Sequence, residues 1–357
     1  MTRKTYIPYD QLVSKPDNLL KLLEAPINPD NLLPRKVTER KLGYIYEPDK
    51  LALSYSRRQT LNRCARLFQL REIKQRKSRT PSIDTAFGSA FGAGVQELFK
   101  SGSVERATVA ALANWDYPEF EDMYGKKHNK SFWICVESLE IFAASYLPSI
   151  TSEYELADLD GRPGIELFVY IRIGSSFNYQ IHIDLILQNR ETKALCVVEI
   201  KTSGMDAVES DWGNSSQTLG YYAILETLSR RMGLHIEPCV YYICFNPTKL
   251  FDSSASNGIQ IFPYVKTPHA NMEFVQELMH DIRRINDCVE HDFFPKSGGS
   301  CTAYRRPCEF YGSCDMMLHE EAQIGNQYQS LTLADADFIL DLEDILTDVE
   351  KNVLTEK

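Results

Sequence analysis

Three apolar stretches in the middle of the chain decide its fold: IELFVYIRI at 165–173, YQIHIDLIL at 179–187 and ALCVVEIKT at 194–202. Each is short and rich in β-branched residues, and the turn-like segments GSSFN and QNRETK separate them. Stretches of this length and composition between turns are typical of β-strands. The sequence therefore predicts a sheet that contains three consecutive strands.

Helical periodicity precedes and follows these strands. The predicted helices are 56–77, 85–100, 103–149, 214–231 and 271–292, and one further apolar strand is predicted at 238–246. Helices on both sides of a run of strands indicate an α/β fold. We predict a central mixed sheet flanked by helices, with a helical N-terminal part.

Charged residues interrupt the apolar pattern of the third strand. Because side chains alternate along a strand, Glu199 and Lys201 project from one face while Ile200 faces the other. Asp184 lies in the preceding strand, so neighbouring strands can bring two carboxylates together. Such carboxylates repel unless one is protonated or a cation lies between them, and oxygen ligands favour Mg²⁺ or Mn²⁺. The alternative is a Glu–Lys pair on a solvated edge of the sheet.

These residues resemble a known signature. Asp184 followed by EIK at 199–201 resembles the D…(D/E)xK pattern of the PD-(D/E)xK nuclease superfamily. Gln217 and Tyr221 match the QxxxY motif of its RecB-like branch, and their spacing places them on one face of a helix. The resemblance implies a restriction-endonuclease-like core that cleaves phosphodiester bonds.

The resemblance also implies roles for individual residues. The catalytic set it implies is Asp184, Glu199, Lys201, Gln217 and Tyr221. The implied metal ligands are Asp184, Glu199, the carbonyl of Ile200 and Gln96, which stands where many members carry a histidine. Lys201 would assist the water that attacks phosphorus, and the metal would be Mg²⁺ or Mn²⁺.

Four of the nine cysteines lie outside the apolar core pattern, at Cys64, Cys301, Cys308 and Cys314. One early and three late cysteines resemble the layout of iron–sulfur RecB-like nucleases, including AddB-type and CRISPR-associated exonucleases. The resemblance implies a 4Fe–4S cluster that joins the early helix to the C-terminal region. Structural Zn²⁺ is the alternative, because four thiolates also suit zinc. The CxxC pair usual among the late cysteines of the family is absent.

Charge is distributed unevenly along the chain, whose net charge is −10. Residues 57–79 carry nine Lys/Arg and one acid, whereas residues 320–357 carry ten acids and two lysines. A basic helix beside an acidic tail is compatible with DNA binding, although a solvated charged helix gives the same pattern. The candidates for phosphate contacts are Arg57, Arg58, Arg63 and Arg66.

We therefore predict an N-terminal arm at 1–53, a nuclease core at 54–319 and an acidic amphipathic tail at 320–357. The helical spacing of apolar residues from Phe338 to Leu346 predicts a helix that docks on its own domain. A sharper hypothesis is that this helix binds a partner or covers the DNA groove.

The function implied is a metal-dependent deoxyribonuclease, most simply an exonuclease of recombination, repair or phage DNA metabolism. It would act on single-stranded DNA or duplex ends, with a helicase or recombinase as partner. The alternative is a catalytically inactive DNA-binding iron–sulfur or zinc scaffold for such a partner. Because the start of the sequence has no apolar secretory signal and no apolar run is long enough to span a bilayer, we expect a cytoplasmic protein without membrane contact.

Overall fold

The computed structural model describes most of the chain from residue 52 onward. The described ranges are 52–74, 76, 82–117, 130–173, 177–202, 216–246, 258–266, 269–302, 307–314 and 335–347. The predicted N-terminal arm lies almost wholly outside them. The segments at 203–215 and 247–257 that follow two central strands also lie outside them.

In the described ranges six α-helices come first, six strands follow, and helices and strands are interspersed after Thr202. The helices are α1 (Tyr55–Arg63), α2 (Ala65–Phe68), α3 (Ile83–Ser101), α4 (Val104–Ala113), α5 (Phe132–Ser145), α6 (Leu147–Glu153), α7 (Ser216–Met232), α8 (Ala270–Glu290) and α9 (Leu342–Ile345). The strands are β1 (Tyr154–Leu156), β2 (Asp158–Leu159), β3 (Arg162–Pro163), β4 (Ile165–Ile173), β5 (Phe177–Asn189), β6 (Leu195–Thr202), β7 (Ile236–Phe245), β8 (Ile259–Val265) and β9 (Phe338–Asp341). No helix in these ranges combines the length and the apolarity needed to cross a membrane.

A seven-stranded mixed sheet forms the centre of the described structure. Its order is β8-β7-β6-β5-β4-β9, and β1 pairs with β5 outside this path. β5 is antiparallel to both of its neighbours, β4 and β6, whereas β6 and β7 are parallel. Helix α7 provides the connection between the two parallel strands, as such a crossover requires. The predicted mixed α/β sheet with flanking helices is confirmed.

Helices cover both faces of the sheet. One face packs against α1, α7, α8 and α9, with Phe274 of α8 and Val197 of β6 fully buried between them. The other face packs against α3 and α5, where Phe91 of α3 stacks on Phe245 of β7 at 4.5 Å between ring centroids. Because both faces are covered, the central strands are apolar on both sides. A charged side chain in such a strand therefore needs a specific partner.

The helix predicted at 56–77 is interrupted at Cys64. Cys64 has an extended backbone (φ −166°, ψ 119°), and a π-helical turn at Gln69–Ile73 follows α2. The backbone N–H of Arg66 donates to the carbonyl of Pro295 at 3.2 Å instead of to the preceding helical turn. Docking of the loop that follows α8 thus breaks the helix, which the local pattern of apolar residues does not reveal.

The end of the chain contributes to the same sheet. Phe338–Asp341 is a strand, β9, that runs parallel to β4, and α9 follows directly. Asp341 and Asp344 form a capping box, and Asp344 pairs with Arg231 of α7 at 2.5 Å. The helix predicted from Phe338 onward is therefore wrong over its first turn, because the open edge of β4 offers backbone partners that favour a strand. Residues 335–347 pack against the chain's own domain, as predicted.

Candidate active site

The predicted carboxylates meet where strands β5 and β6 stop pairing. The last paired residues are Leu185 and Val198, so the next cross-strand position holds Asp184 opposite Glu199. At that point the backbone N–H of Ile200 donates to Asp184 Oδ2 at 2.9 Å. The carboxylate of Asp184 thus binds the neighbouring strand directly, and the two acids lie side by side.

Asp184 is in an environment that disfavours its negative charge. Burial and the charge of Glu199 raise the pKa of Asp184 well above its usual range, and Glu166 adds to this effect. The Ile200 N–H and Lys201 act in the opposite direction. A carboxylate destabilised by a second carboxylate is a position where a divalent cation would be stabilised.

Glu199 has one satisfied and one unsatisfied oxygen. The residue is 2% exposed. Oε1 accepts from Gln217 Nε2 at 2.9 Å and lies 2.5 Å from Lys201 Nζ. Oε2 is buried and makes no hydrogen bond of standard geometry with a described residue, although the Tyr221 hydroxyl interacts with the same carboxylate. Because buried polar atoms are nearly always satisfied, this oxygen points to a missing ligand.

Lys201 is held in its charged form. Burial acts to lower its pKa, but Glu199, Asp184 and Tyr55 outweigh burial, and the net pKa is raised. Its ammonium donates to Gln217 Oε1 at 3.1 Å in addition to the contact with Glu199. This arrangement suits stabilisation of negative charge on a phosphate better than removal of a proton from water.

Gln217 and Tyr221 complete the arrangement from α7. Gln217 Nε2 donates to the Tyr221 hydroxyl at 2.7 Å as well as to Glu199, so both hydrogens of the amide nitrogen are used. Tyr221 is 2% exposed, and burial together with the charges of Glu199 and Asp184 raises its pKa well above the usual value. The structure therefore brings together all five residues of the predicted catalytic set.

Gln96 reaches the site from α3 on the opposite face of the sheet. Its Nε2 donates to Glu166 Oε1 at 2.5 Å and lies 3.4 Å from the carbonyl of Asp184. Glu166 is opposite Asp184 in the β4–β5 ladder and has a positive φ of 47°. This backbone conformation is costly for a glutamate and is often found at functional sites. Gln96 thus holds a third carboxylate close to the predicted pair.

Comparison with known families agrees with this geometry. The family model described as PD-(D/E)XK nuclease superfamily matches residues 52–315. The chain belongs to the PD-(D/E)XK nuclease superfamily. Members of this superfamily are generally nucleases.

The other comparisons add little to this assignment. No curated protein matches the chain. A solved structure titled "Crystal structure of SSO0001" is 12% identical, and the alignment covers 62% of this chain and 84% of that one, with a TM-score of 0.26. At that TM-score the alignment does not bear on the fold. The RecB-like branch stays a prediction.

The four predicted DNA-binding arginines of this superfamily member are all engaged within the protein. Arg57 pairs with Glu72 at 3.2 Å. Arg63 and Arg66 donate to backbone carbonyls at 294–300, at 3.1 and 3.2 Å. Arg58 is 2% exposed and pairs with Asp281 of α8. The structure therefore places Arg58 in the interior, away from any DNA phosphate. Arg63 and Arg66 lie at the loop after α8, whereas Arg57 contacts Glu72 and the carbonyl of Ala52.

The four predicted cluster ligands come into one neighbourhood. Cys64 Sγ accepts from the backbone N–H of Ser297 at 3.4 Å, and Cys301 Sγ lies 4.0 Å from the carbonyl of Ser297. Cys308 and Cys314 pack with Cys64 against a small apolar cluster. That cluster consists of Leu67, Leu70 and Phe310. The thiols are near one another but are not arranged as a ligand set.

Metal ligation has different requirements at the two sites. Across the residues that the structure describes, no group of three or more His, Cys, Asp and Glu side chains is arranged to hold a metal. A 4Fe–4S cluster needs four thiolates that converge on one point, and the described cysteines do not form such a group. Mg²⁺ is bound by one or two carboxylates with waters and substrate phosphate, so Asp184 and Glu199 fit that ion.

Sequence reasoning missed two residues beside the site. Tyr55 begins α1 and is close enough to Lys201 to raise its pKa. Ser216 begins α7 and accepts a hydrogen bond from Arg58. Neither position belongs to a recognisable spacing, and only the packing of α1 against α7 brings them to the site.

Proposed function

We propose that the protein is a Mg²⁺- or Mn²⁺-dependent deoxyribonuclease. The observation that carries this proposal is the buried, unsatisfied Oε2 of Glu199 beside the destabilised carboxylate of Asp184. A divalent cation would satisfy both groups at once. Membership of a superfamily whose members are generally nucleases supports phosphodiester hydrolysis as the reaction.

The ligands would be Asp184, Glu199 and the carbonyl of Ile200, with Gln96 acting through Glu166. When bound, the metal would polarise the phosphate and lower the pKa of a coordinated water. Lys201 would place its ammonium against the charge that develops on phosphorus. Gln217 would hold the Lys201 ammonium and the Glu199 carboxylate in position, and Tyr221 would fix the amide of Gln217.

The substrate we propose is DNA, and exonuclease action at an end is the finer part of the proposal. Arg57, Arg63 and Arg66 are the candidate phosphate contacts, provided that each exchanges an internal carbonyl or carboxylate partner for phosphate. A cytoplasmic role in recombination, repair or phage DNA metabolism, with a helicase or recombinase supplied by another chain, rests on the resemblance to RecB-like nucleases.

An end-labelled linear duplex with Mn²⁺ tests this proposal, with a closed circular duplex to separate end-directed from internal cleavage. We expect the parent protein to shorten the linear DNA and Glu199→Gln to lose at least about 100-fold in rate. Glu237→Gln is the matched control, because Glu237 lies in β7 outside the site, where it accepts from Tyr154 of β1 and from Tyr241 of β7, each at 3.0 Å. Equal rates for parent and Glu199→Gln would contradict the proposal.

A second candidate is a catalytically inactive DNA-binding scaffold. The observation that favours it is Gln96, an amide in place of a histidine, whose Nε2 is occupied by Glu166. This candidate predicts DNA binding by the parent protein without cleavage in either Mg²⁺ or Mn²⁺. The same assay therefore separates the two.

A 4Fe–4S cluster at Cys64, Cys301, Cys308 and Cys314 is a further part of the proposal, and structural Zn²⁺ is its alternative. Its support is the cysteine layout in the sequence and the shared location of the four thiols. Iron and zinc analysis of the purified protein, with its visible absorbance, decides between iron–sulfur, zinc and neither.

A further inference from the structure

Arg58 forms a buried ionic network that joins three helices. Its Nε donates to Asp281 Oδ2 of α8 at 2.5 Å, and its Nη2 lies 3.3 Å from Glu277 Oε2. Its Nη1 donates to the hydroxyl of Ser216, the first residue of α7. Arg58 and Asp281 are 2% and 3% exposed. A buried guanidinium is costly unless its donors are used, and here each terminal nitrogen has a partner.

The Arg58 guanidinium stays protonated in this environment. Burial acts to lower its pKa, but Tyr179, Asp281 and Glu277 outweigh burial, and the net pKa is raised. Arg58 is therefore a permanent cation, shielded from solvent, in contact with the start of α7. It has no solvent-facing surface to offer to a DNA phosphate.

The residue next to Ser216 is Gln217, which contacts three groups of the proposed active site. Gln217 Oε1 accepts from Lys201 Nζ at 3.1 Å. Its Nε2 donates to Glu199 at 2.9 Å and to Tyr221 at 2.7 Å. Because successive residues of a helix are only about 1.5 Å apart along its axis, a contact that fixes Ser216 also fixes the position of Gln217.

We propose that Arg58 is a positioning residue of the active site: it clamps the N-terminus of α7 to α8 so that Gln217 holds Lys201 and Glu199. This inference rests on the proposed function. Arg58 touches neither substrate nor metal ligand, and its effect passes through Ser216 and Gln217. The contacts that define it lie 158 residues apart for Ser216 and 223 residues apart for Asp281.

Two variants separate the contact of Arg58 with α7 from its packing against α8. Arg58→Met removes the whole network, whereas Ser216→Ala leaves the Arg58–Asp281 pair intact and removes only the contact with α7. The matched control is Arg284→Met, because Arg284 also joins α8 to α1, through Asn62 at 3.1 Å, without reaching α7. We expect kcat on linear DNA with Mn²⁺ to fall on the order of 10- to 100-fold in Arg58→Met and Ser216→Ala, but not in Arg284→Met.

The deciding readout is the double variant with Gln217→Ala. If Arg58 acts through Gln217, Ser216→Ala or Arg58→Met causes no further loss of kcat once Gln217 is absent. A loss that multiplies fully with that of Gln217→Ala would overturn the inference, because it would show an independent effect on folding or packing.

Amide hydrogen exchange provides a readout that does not depend on activity. We expect faster exchange of the peptide at 217–221 in Ser216→Ala and in Arg58→Met, and no change there in Arg284→Met. Unchanged exchange at 217–221 in both clamp variants would overturn the inference. A parent protein that cleaves no DNA would refute the proposed function instead, and the exchange comparison would still decide whether Arg58 positions α7.

Discussion

The same substitution at two buried aspartates is expected to change stability in opposite directions. Asp184 lies opposite Glu199, and its only direct hydrogen-bond donor in the described structure is the N–H of Ile200. Asp281 instead pairs with the Arg58 guanidinium at 2.5 Å. Asp→Asn at position 184 removes a repulsion, whereas Asp→Asn at position 281 removes the partner of a buried charge.

The expected magnitudes follow from the geometry. Cross-strand carboxylates about 5 Å apart repel by about 3 kcal/mol at an effective dielectric constant of about 20. Lys201, 2.5 Å from Glu199, offsets part of this repulsion. An asparagine also accepts the Ile200 N–H less strongly than a carboxylate does. We therefore expect Asp184→Asn to raise the free energy of unfolding of the metal-free protein by about 1 kcal/mol. Asp281→Asn should lower it by about 3 kcal/mol or more.

Chemical unfolding in EDTA and again in excess Mn²⁺ measures both effects. Mn²⁺ should stabilise the parent protein and Asp281→Asn, but not Asp184→Asn, because binding to the folded state alone raises stability. A loss of stability in Asp184→Asn without metal, or an equal Mn²⁺ effect in Asp184→Asn and in the parent, would refute the reasoning that these carboxylates form a cation site.

Two further predictions concern packing. Gly94→Ala should destabilise the protein by about 1–3 kcal/mol, because an added Cβ would lie 2.4 Å from Leu139 Cδ1. Gly92→Ala, where an added Cβ meets nothing within 4 Å, should stabilise the same helix by about 0.5–1 kcal/mol. Thermal unfolding of the two variants checks this, and equal shifts in their unfolding temperatures would contradict it. Deletion of residues 335–357 should lower the free energy of unfolding by at least about 3 kcal/mol, because Leu340 and Ile345 are 1% and 0% exposed; higher nuclease activity at unchanged stability would instead support the hypothesis that the tail covers the DNA groove.

The central strands and the site could be predicted because they depend on local patterns. Short apolar stretches between turn-like segments at 165–202 predict the strands that the structure contains. The motif spacing of Asp184, Glu199 and Gln217 predicts residues that the structure brings together. These residues are readable because each departs from its surroundings in a regular way: a charge in an apolar strand, or a polar pair on one helix face.

The remainder depends on contacts between distant segments. Strand β9 forms because β4 has an open edge, and the break at Cys64 follows from the docking of Pro295. Arg58 has the same sequence signature as its basic neighbours, but its partner Asp281 is 223 residues away. Local charge therefore indicated a DNA contact where tertiary packing formed an interior ion pair. Strand β8 contains Pro263, a residue that argues against a strand in a sequence pattern, and the proline is tolerated because β8 lies at the edge of the sheet.

The central claim is that Asp184, Glu199 and Lys201 form a phosphodiester-cleaving centre. The measurement that tests it most directly is the single-turnover rate of cleavage of labelled linear DNA in Mn²⁺, comparing Lys201→Met with Lys193→Met. Lys193 lies just before the same strand, and its ammonium is 3.3 Å from Glu155 on the exposed surface. We predict that Lys201→Met loses at least about 100-fold in rate while Lys193→Met cleaves as the parent does. Cleavage by Lys201→Met at the parent's rate would contradict the claim.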